Sequence, residues 1–305
     1  MSLGRDDVEA AARRIAGHVR RTPLLRVTDP HLCELKLEHL QLAGSFKSRG
    51  AFNTLLASDV PPAGVAAASG GNHGAAVAYA ARALGHPASI FVPEISSPAK
   101  LAAIRATGAD ITVSGARYAD ALALCEAHQA RTGAMGIHAY DADLTIAGQG
   151  TVAMEWEADS EGLDTVLVAV GGGGLISGIA AWFESAVKVV AVEPATSRAM
   201  QAALDAGAPV DVEVSGIAAD SLGARSIGVR NYDIAAKHVA AAITVPDEAI
   251  ADAQQALWRD ARIMTEPGGA AAYAALLCGA YQPAAGERIG VLVCGANVDP
   301  GAFAL

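Results

Sequence analysis

The sequence predicts an α/β protein with two lobes, each built on a mostly parallel, twisted sheet flanked by helices. Short apolar runs bounded by Gly or Asp alternate with Ala-rich stretches of helical period, which is typical of β-α units. Of the 305 residues, 52% are hydrophobic but only 5% are aromatic, so the core is built from small side chains that let layers pack closely. The chain exceeds the usual size of one domain, yet no Pro/Ser-rich linker divides it.

Two series of β-α units follow one another along the chain. The first series has predicted strands at 65–68, 88–92, 111–113 and 136–138 and helices at 72–84, 98–107 and 117–132. The second has strands at 165–170, 188–192 and 288–294, with helices that begin near Leu175, Asp247 and Gly269. A helix over 5–19 and an extended segment at 33–37 are grouped with the second series. We therefore expect a large lobe from residues 1–50 with 148–305, and a small lobe from 51–147.

Composition excludes several classes of partner. The net charge of -10 provides no basic field for nucleic acid, and the apolar stretches are interrupted before the ~20 residues of a membrane-spanning helix. The N-terminus lacks the basic and apolar regions of a signal peptide, so we expect a cytoplasmic protein. The four cysteines show no C-x-x-C spacing, and the chain ends soon after Asp299, so neither a zinc site nor an appended regulatory domain is expected.

A run of four glycines follows the predicted strand at 165–170 and opens a helix. This glycine loop consists of Gly171, Gly172, Gly173 and Gly174. Each glycine loses more backbone entropy on folding than any other residue, so the run serves geometry: its N–H groups can converge on an anion at a helix N-terminus. The alternative interpretation is that the glycines only form a tight turn between the strand and the helix. Glu193, about 20 residues on, suits a ribose-binding acid, so a nicotinamide-dependent dehydrogenase remains an alternative.

Lys47 is a candidate nucleophile. Ser45 is expected to cap a helix that runs through Leu56, which places Lys47 in the first turn. The positive end of the helix disfavours an ammonium there and makes the amine more reactive toward an aldehyde. The alternative is a solvated surface lysine.

A second strand-to-helix turn carries short polar side chains. This serine–glycine loop consists of Ser69, Gly70, Gly71, Asn72 and His73. Its convergent amides suit a carboxylate, although a plain capped turn explains its composition equally well. Cys294 ends the predicted strand at 288–294, and its position alone predicts a buried core residue.

Taken in order, these segments resemble the fold-type-II, tryptophan-synthase-β-like pyridoxal-phosphate enzymes, and among them the threonine/serine dehydratase and serine racemase branch. The resemblance covers the chain from Arg21 to Asp299. It implies a homodimer with pyridoxal 5'-phosphate in the cleft between the lobes. The substrate that it implies is a small amino acid.

The resemblance also implies a role for each candidate residue. Lys47 corresponds to the lysine that forms a Schiff base with the cofactor, and the glycine loop to its phosphate cradle. Phe46 corresponds to a residue beside the ring, Asn72 to a partner of the 3'-oxygen, and Cys294 to a residue that faces the pyridine nitrogen. Glu266 matches an acidic position near the cofactor. The serine–glycine loop corresponds to the site of the substrate carboxylate.

The implied activity is that of an ammonia-lyase: dehydration and deamination of L-threonine and/or L-serine to 2-oxobutyrate or pyruvate and ammonia. The resemblance implies that Lys47 removes the Cα proton and that the cofactor phosphate, with a second pKa near ~6, protonates the departing hydroxyl. A neutral thiol at Cys294 supports the ring nitrogen less than a carboxylate does, which favours rapid elimination over transamination.

Two departures from the family pattern bear on the alternatives. Serine racemases have a serine at the position of Gly70, and glycine has no proton to give, so racemisation is less favoured. Racemases also bind a divalent cation where this chain has Glu193, Ser197 and Ala199, and one carboxylate is a poor cage, so no metal site is expected. Serine racemase, another β-eliminating or β-replacing enzyme such as a hydroxyaspartate dehydratase, and a non-catalytic ligand-binding module remain alternatives.

Overall fold

The computed structural model describes residues 3–29, 31–94, 96, 98–116 and 118–303. The strands are β1 (Leu24–Val27), β2 (Cys33–Lys36), β3 (Val65–Ala68), β4 (Ala88–Val92), β5 (Asp110–Val113), β6 (Met135–Gly136), β7 (Thr165–Ala169), β8 (Lys188–Pro194), β9 (Val239–Val245) and β10 (Ile289–Leu292). The helices are α1 (Arg5–Ile15), α2 (Lys47–Leu56), α3 (Asn72–Leu84), α4 (Pro98–Arg105), α5 (Tyr118–Thr132), α6 (Asp143–Asp159), α7 (Gly174–Phe183), α8 (Ala199–Ala206), α9 (Ala219–Leu222), α10 (Val229–His238), α11 (Asp247–Ala261) and α12 (Pro267–Leu277).

The strands form two sheets, as predicted. The six-stranded sheet has the order β1-β2-β10-β7-β8-β9, and the four-stranded sheet has the order β5-β4-β3-β6. Every pairing between these strands is parallel except that of β1 with β2. The expected grouping of the 33–37 segment with the second series is confirmed, because β2 pairs with β10. The four-stranded sheet uses strands between residues 65 and 136, while the lobe limits at 51 and 147 stay predictions.

Small side chains let the layers approach closely. Strands β3 and β7 are buried along their whole length because helices cover both faces of a parallel sheet. Helices α6 and α7 meet through glycines: a Cβ at Gly150 would lie 2.7 Å from the carbonyl oxygen of Gly178. The low aromatic content of the sequence therefore reflects close contact between the layers.

Several predicted boundaries need correction. The expected Ser45 cap is wrong: Phe46 is the N-cap of α2, and the Ser45 hydroxyl has no hydrogen-bond partner among the described residues. Helix α1 ends at Ile15 instead of residue 19, just before Gly17, which has a left-handed φ of 80°. The helix predicted at 117–132 is described from Tyr118, and Arg117 lies outside the described residues.

Other boundaries shift by a few residues, and six elements were not predicted: strands β1 and β9 and helices α6, α8, α9 and α10. Helix α3 matches its predicted bounds, whereas α4 ends two residues early and β6 lies one to two residues before its predicted position. Strand β9 has the sequence VAAAITV, and its alanines gave no alternating pattern. Within the described ranges, no helix is long and apolar enough to cross a membrane.

Candidate active site

A cleft lies where β7, β10, α2, α7 and α12 meet. It brings together most of the residues singled out in the sequence. The predicted residues that line it are Phe46, Lys47, Asn72, Gly171, Gly172, Gly173, Gly174, Glu266 and Cys294. The lining also includes Tyr140, Ala169, Val170, Leu175, Ile176, Ser221, Leu222 and Gly268. Ser69, Gly70, Gly71 and His73 do not line it, although they adjoin Asn72.

The glycine loop connects β7 to α7 and requires glycine at several positions. Gly173 has a left-handed φ of 95°, and a Cβ at Gly172 would collide with the Tyr140 ring. A Cβ at Gly174 would lie 2.8 Å from the carbonyl oxygen of Tyr140. Among the described residues, the N–H groups of residues 171–173 donate to no protein acceptor. Unpaired donors at a helix N-terminus suit a phosphate group.

Asn231 stabilises the glycine loop through hydrogen bonds to backbone carbonyl oxygens. Its Nδ2 donates to the carbonyl oxygens of Gly172, at 3.0 Å, and Tyr140, at 3.1 Å. The backbone N–H of Gly228 donates to the same Gly172 oxygen at 3.3 Å. These bonds occupy carbonyl oxygens that would otherwise repel an anion. No sequence motif pointed to Asn231, because it lies 59 residues from Gly172.

Lys47 is the first residue of α2, and its Nζ donates to the carbonyl oxygen of Ala139 at 2.7 Å. Burial in the cleft lowers the pKa of Lys47 to about 8. The expected decrease in pKa is therefore present, but burial rather than the helix end is its largest cause. A lysine with this pKa has an appreciable neutral, nucleophilic fraction near neutral pH.

Cys294 lies just beyond the end of β10 on the wall of the cleft. It is 4% exposed, and its Sγ–H donates to the carbonyl oxygen of Gly268 at 3.4 Å. Burial raises the pKa of the thiol, so Cys294 stays protonated and neutral. A group of this kind is a weak partner for a basic ring nitrogen.

Three side chains form a hydrogen-bonded chain along one edge of the cleft. Asn297 donates from Nδ2 to Oδ1 of Asn72 at 2.7 Å. This bond orients the Asn72 amide so that its Nδ2 donates to Oε1 of Glu266. Burial raises the pKa of Glu266, while Lys100 and Asn72 oppose that rise. The family resemblance had suggested Asn72 and Glu266 separately, and the structure links them directly.

The serine–glycine loop forms the N-terminus of α3 beside the cleft. The Ser69 hydroxyl accepts a hydrogen bond from the Gly71 N–H at 3.2 Å. His73 is buried, and its Nε2 lies 2.9 Å from the carbonyl oxygen of Ile137. Burial lowers the pKa of His73 to about 3, so the ring is neutral and Nε2 is the donor in this contact. A Cβ at Gly70 would collide with the hydroxyl of Ser96.

Glu193 lies apart from the cleft lining and caps helix α8. Its Oε1 accepts from the Met200 N–H at 2.7 Å, and its Oε2 from the Gln201 N–H at 2.8 Å. No cluster of three or more His, Cys, Asp or Glu that could hold a metal occurs in the part of the chain that the structure describes. The expectation that this chain has no divalent-cation site stays a prediction.

Because the Glu193 carboxyl group is buried, we expect the free energy of unfolding to depend on pH. Burial raises the pKa of Glu193 from 4.5 to about 7, so the folded state holds this proton more tightly than the unfolded state. Its contribution to the free energy of unfolding is full below pH 4.5 and is lost as the pH rises through about 7. The loss amounts to about 3 kcal/mol. Urea unfolding of Glu193→Gln between about pH 5 and 8 should show a flatter profile than the unchanged protein, and equal slopes would contradict this.

Comparisons with known proteins agree with the site. Residues 15–295 match the family described as "Pyridoxal-phosphate dependent enzyme". Phenylserine dehydratase of Ralstonia pickettii is 36% identical over 307 residues, which cover 95% of this chain and 92% of that protein. L-threonine ammonia-lyase of Thermotoga maritima is 34% identical over 305 residues, covering 96% of this chain and 75% of that protein.

A solved structure of maize serine racemase has a TM-score of 0.94 and 33% sequence identity, covering 99% of this chain and 96% of that one. The predicted fold class and the predicted cofactor are thereby confirmed, and the nicotinamide-dependent alternative is wrong. The chain therefore belongs to the pyridoxal-phosphate-dependent enzyme family, as a fold-type-II enzyme of the ammonia-lyase type.

Proposed function

We propose that this enzyme catalyses β-elimination from L-threonine and/or L-serine, releasing 2-oxobutyrate or pyruvate and ammonia. The observation that carries the proposal is one cleft that holds a lysine of lowered pKa, a glycine loop with unpaired N–H groups, and a neutral thiol. The threonine ammonia-lyase and phenylserine dehydratase relatives support elimination as the reaction class.

The residues of the cleft fit pyridoxal phosphate. When bound, this cofactor supplies an aldehyde that condenses with amines and a conjugated ring that takes up electrons from Cα. The glycine loop N–H groups would hold its phosphate, and Phe46 would pack beside the ring. The Cys294 thiol would face the ring nitrogen and Asn72 the 3'-oxygen, with Glu266 orienting Asn72.

Lys47 has two tasks in this proposal. Its amine would hold the cofactor, and the same amine would accept the proton from Cα of the bound substrate. A pKa of about 8 suits both tasks, because the same nitrogen must lose and gain a proton near neutral pH. The carbonyl oxygen of Ala139 orients the amine by accepting its hydrogen bond.

The surroundings of the substrate favour elimination. The serine–glycine loop would hold the substrate carboxylate through its amides, next to Asn72. The neutral Cys294 thiol would give the ring nitrogen of the cofactor little support, which would favour departure of the β-hydroxyl over transamination. Gly70 offers no hydroxyl to return a proton to Cα, and a side chain there would collide with Ser96. These features make racemisation the less favoured outcome.

A panel of β-hydroxy amino acids tests the proposal. We expect 2-oxo acid and ammonia from L-threonine or L-serine, in an assay that also contains phenylserine and 3-hydroxyaspartate. The substrate enantiomers are followed by chiral chromatography to detect racemisation. The proposed substrates are wrong if neither L-threonine nor L-serine yields a 2-oxo acid.

Asn231 provides a prediction for cofactor binding. Asn231→Ala removes the side-chain donor of the Tyr140 and Gly172 carbonyl oxygens and leaves Gly172 only the longer bond from Gly228, so the affinity for pyridoxal phosphate should fall about tenfold to a hundredfold. Pyridoxal lacks the phosphate and should lose no more than about threefold. Equilibrium titration by absorbance measures both affinities. Ser177→Ala is the control, because it also removes a buried hydrogen bond, from the Ser177 hydroxyl to the Asn231 backbone oxygen at 3.2 Å, but leaves the Asn231 side chain in place. Equal losses for both ligands would contradict the prediction.

The homodimer and the lobe limits at 51 and 147 are further parts of the proposal. Analytical ultracentrifugation of the enzyme with bound cofactor measures whether it is a dimer. Limited proteolysis maps the lobe limits, because cleavage concentrates at boundaries that few contacts cross.

A further inference from the structure

An ion pair spans the cleft beside the serine–glycine loop. Lys100 lies in α4, which packs against α3 and β5 on the side of the four-stranded sheet. Its side chain is 5% exposed, and its ammonium contacts the carboxylate of Asp220 and lies 3.4 Å from Oε2 of Glu266. Asp220 lies in α9, which packs against α12, and Glu266 is the N-cap of α12, which packs against the six-stranded sheet. Lys100 therefore joins the two sides of the cleft.

The same cluster contacts the loop proposed to bind the substrate carboxylate. Oε1 of Glu266 accepts a hydrogen bond from Asn72, so a single carboxylate is shared by the loop and Lys100. A Cβ at Gly71 would lie 3.6 Å from the Asp220 carbonyl oxygen and 4.0 Å from Lys100 Nζ. Movement of α4 away from α9 would thus remove Lys100 as a neighbour of the loop and leave Asp220 without this partner.

Charge gives Lys100 a second effect on the loop. Two carboxyl groups, those of Asp220 and Glu266, meet on its ammonium. With this ammonium removed, an incoming substrate carboxylate would approach both acids without the positive charge that now separates them. Of the two acids, Glu266 is only 2% exposed, and repulsion between like charges is strong at a carboxyl group that is shielded from water.

We propose that Lys100 is a positioning residue that latches α4 across the cleft and sets the serine–glycine loop for the substrate carboxylate. This inference rests on the proposed function, which assigns the carboxylate to that loop. Lys100 acts through the loop, so its removal weakens substrate binding more than it slows conversion of bound substrate.

Steady-state kinetics test the latch on the enzyme with bound cofactor, using the amino acid that it converts. In Lys100→Met and Asp220→Asn we expect KM to rise about tenfold or more, with kcat within about threefold of the unchanged enzyme. Lys100→Arg keeps the charge and should recover most of the lost affinity. Asp211→Asn is the control, because Asp211 forms an exposed pair with Arg225 at 3.5 Å and is not among the residues that line the cleft. Equal losses in kcat and kcat/KM, with KM unchanged, would overturn the proposal.

Hydrogen exchange provides a second measurement that does not depend on turnover. Without substrate, residues 98–105 should exchange about tenfold faster in Lys100→Met and Asp220→Asn than in the unchanged enzyme or the Asp211→Asn control. Asp220 is 58% exposed, so its substitution tests the latch even if Lys100→Met fails to fold. Unaltered exchange in α4 overturns the latch. If the exchange result holds and no amino acid is dehydrated, the proposed function fails and the latch stands.

Discussion

Lys47→Ala is expected to abolish dehydration of amino acids, with kcat falling by about 10⁴-fold or more. The physical reason is that one amine both attaches the cofactor and moves the Cα proton, and alanine provides neither function. The visible absorbance of the bound cofactor should also lose the band that borohydride removes in the unchanged enzyme. Release of 2-oxo acid and absorbance titration measure the two effects.

The matched control is Lys237→Ala, which removes an exposed lysine from α10. It should keep both activity and absorbance. After borohydride reduction, peptide mass analysis should place the cofactor on the peptide that contains Lys47. Attachment to another lysine, or full activity in Lys47→Ala, would refute the assignment of this residue.

Arg49→Met should lower the free energy of unfolding by about 3–5 kcal/mol, because it leaves a buried carboxylate without its cation. Arg49 and Glu38 are both 0% exposed, and the guanidinium contacts the two Glu38 oxygens at 2.6 and 2.8 Å. It also donates to both oxygens of Glu155 at 2.8 Å. Arg49 lies in the first turn of α2, two residues after Lys47, so this cluster holds the turn that carries Lys47. Loss of stability should therefore come with weaker cofactor binding.

Urea unfolding of a double variant separates the pair from its surroundings. Adding Glu38→Gln to Arg49→Met removes the unpaired charge and should recover part of the loss, about 1 kcal/mol or more. Arg13→Met, in an exposed pair with Glu9, is the control and should cost less than about 1 kcal/mol. A cost below about 1 kcal/mol for Arg49→Met would show that Glu38 finds another partner or takes up a proton.

Local signals predicted much of the fold and the centre of the site. The glycine loop and the serine–glycine loop each join a buried strand to a helix, and such turns depend on neighbouring residues only. The predicted bounds of α3 are correct, because glycines mark both ends: Gly71 is the N-cap, and Gly85 ends the helix in the left-handed conformation. Strand β9 was missed because its pairing with β8 is set by a partner about 50 residues away.

The sequence by itself determined the alternation of strands and helices, the glycine positions and the order of motifs that resembles the family, because these depend on residue type and spacing along the chain. Only the tertiary structure decided which side chains from distant segments meet: Asn231 behind the glycine loop, Tyr140 against Gly172, and Lys100 across the cleft. It also decided that burial sets the pKa of Lys47, since desolvation depends on surrounding atoms that spacing along the chain does not specify.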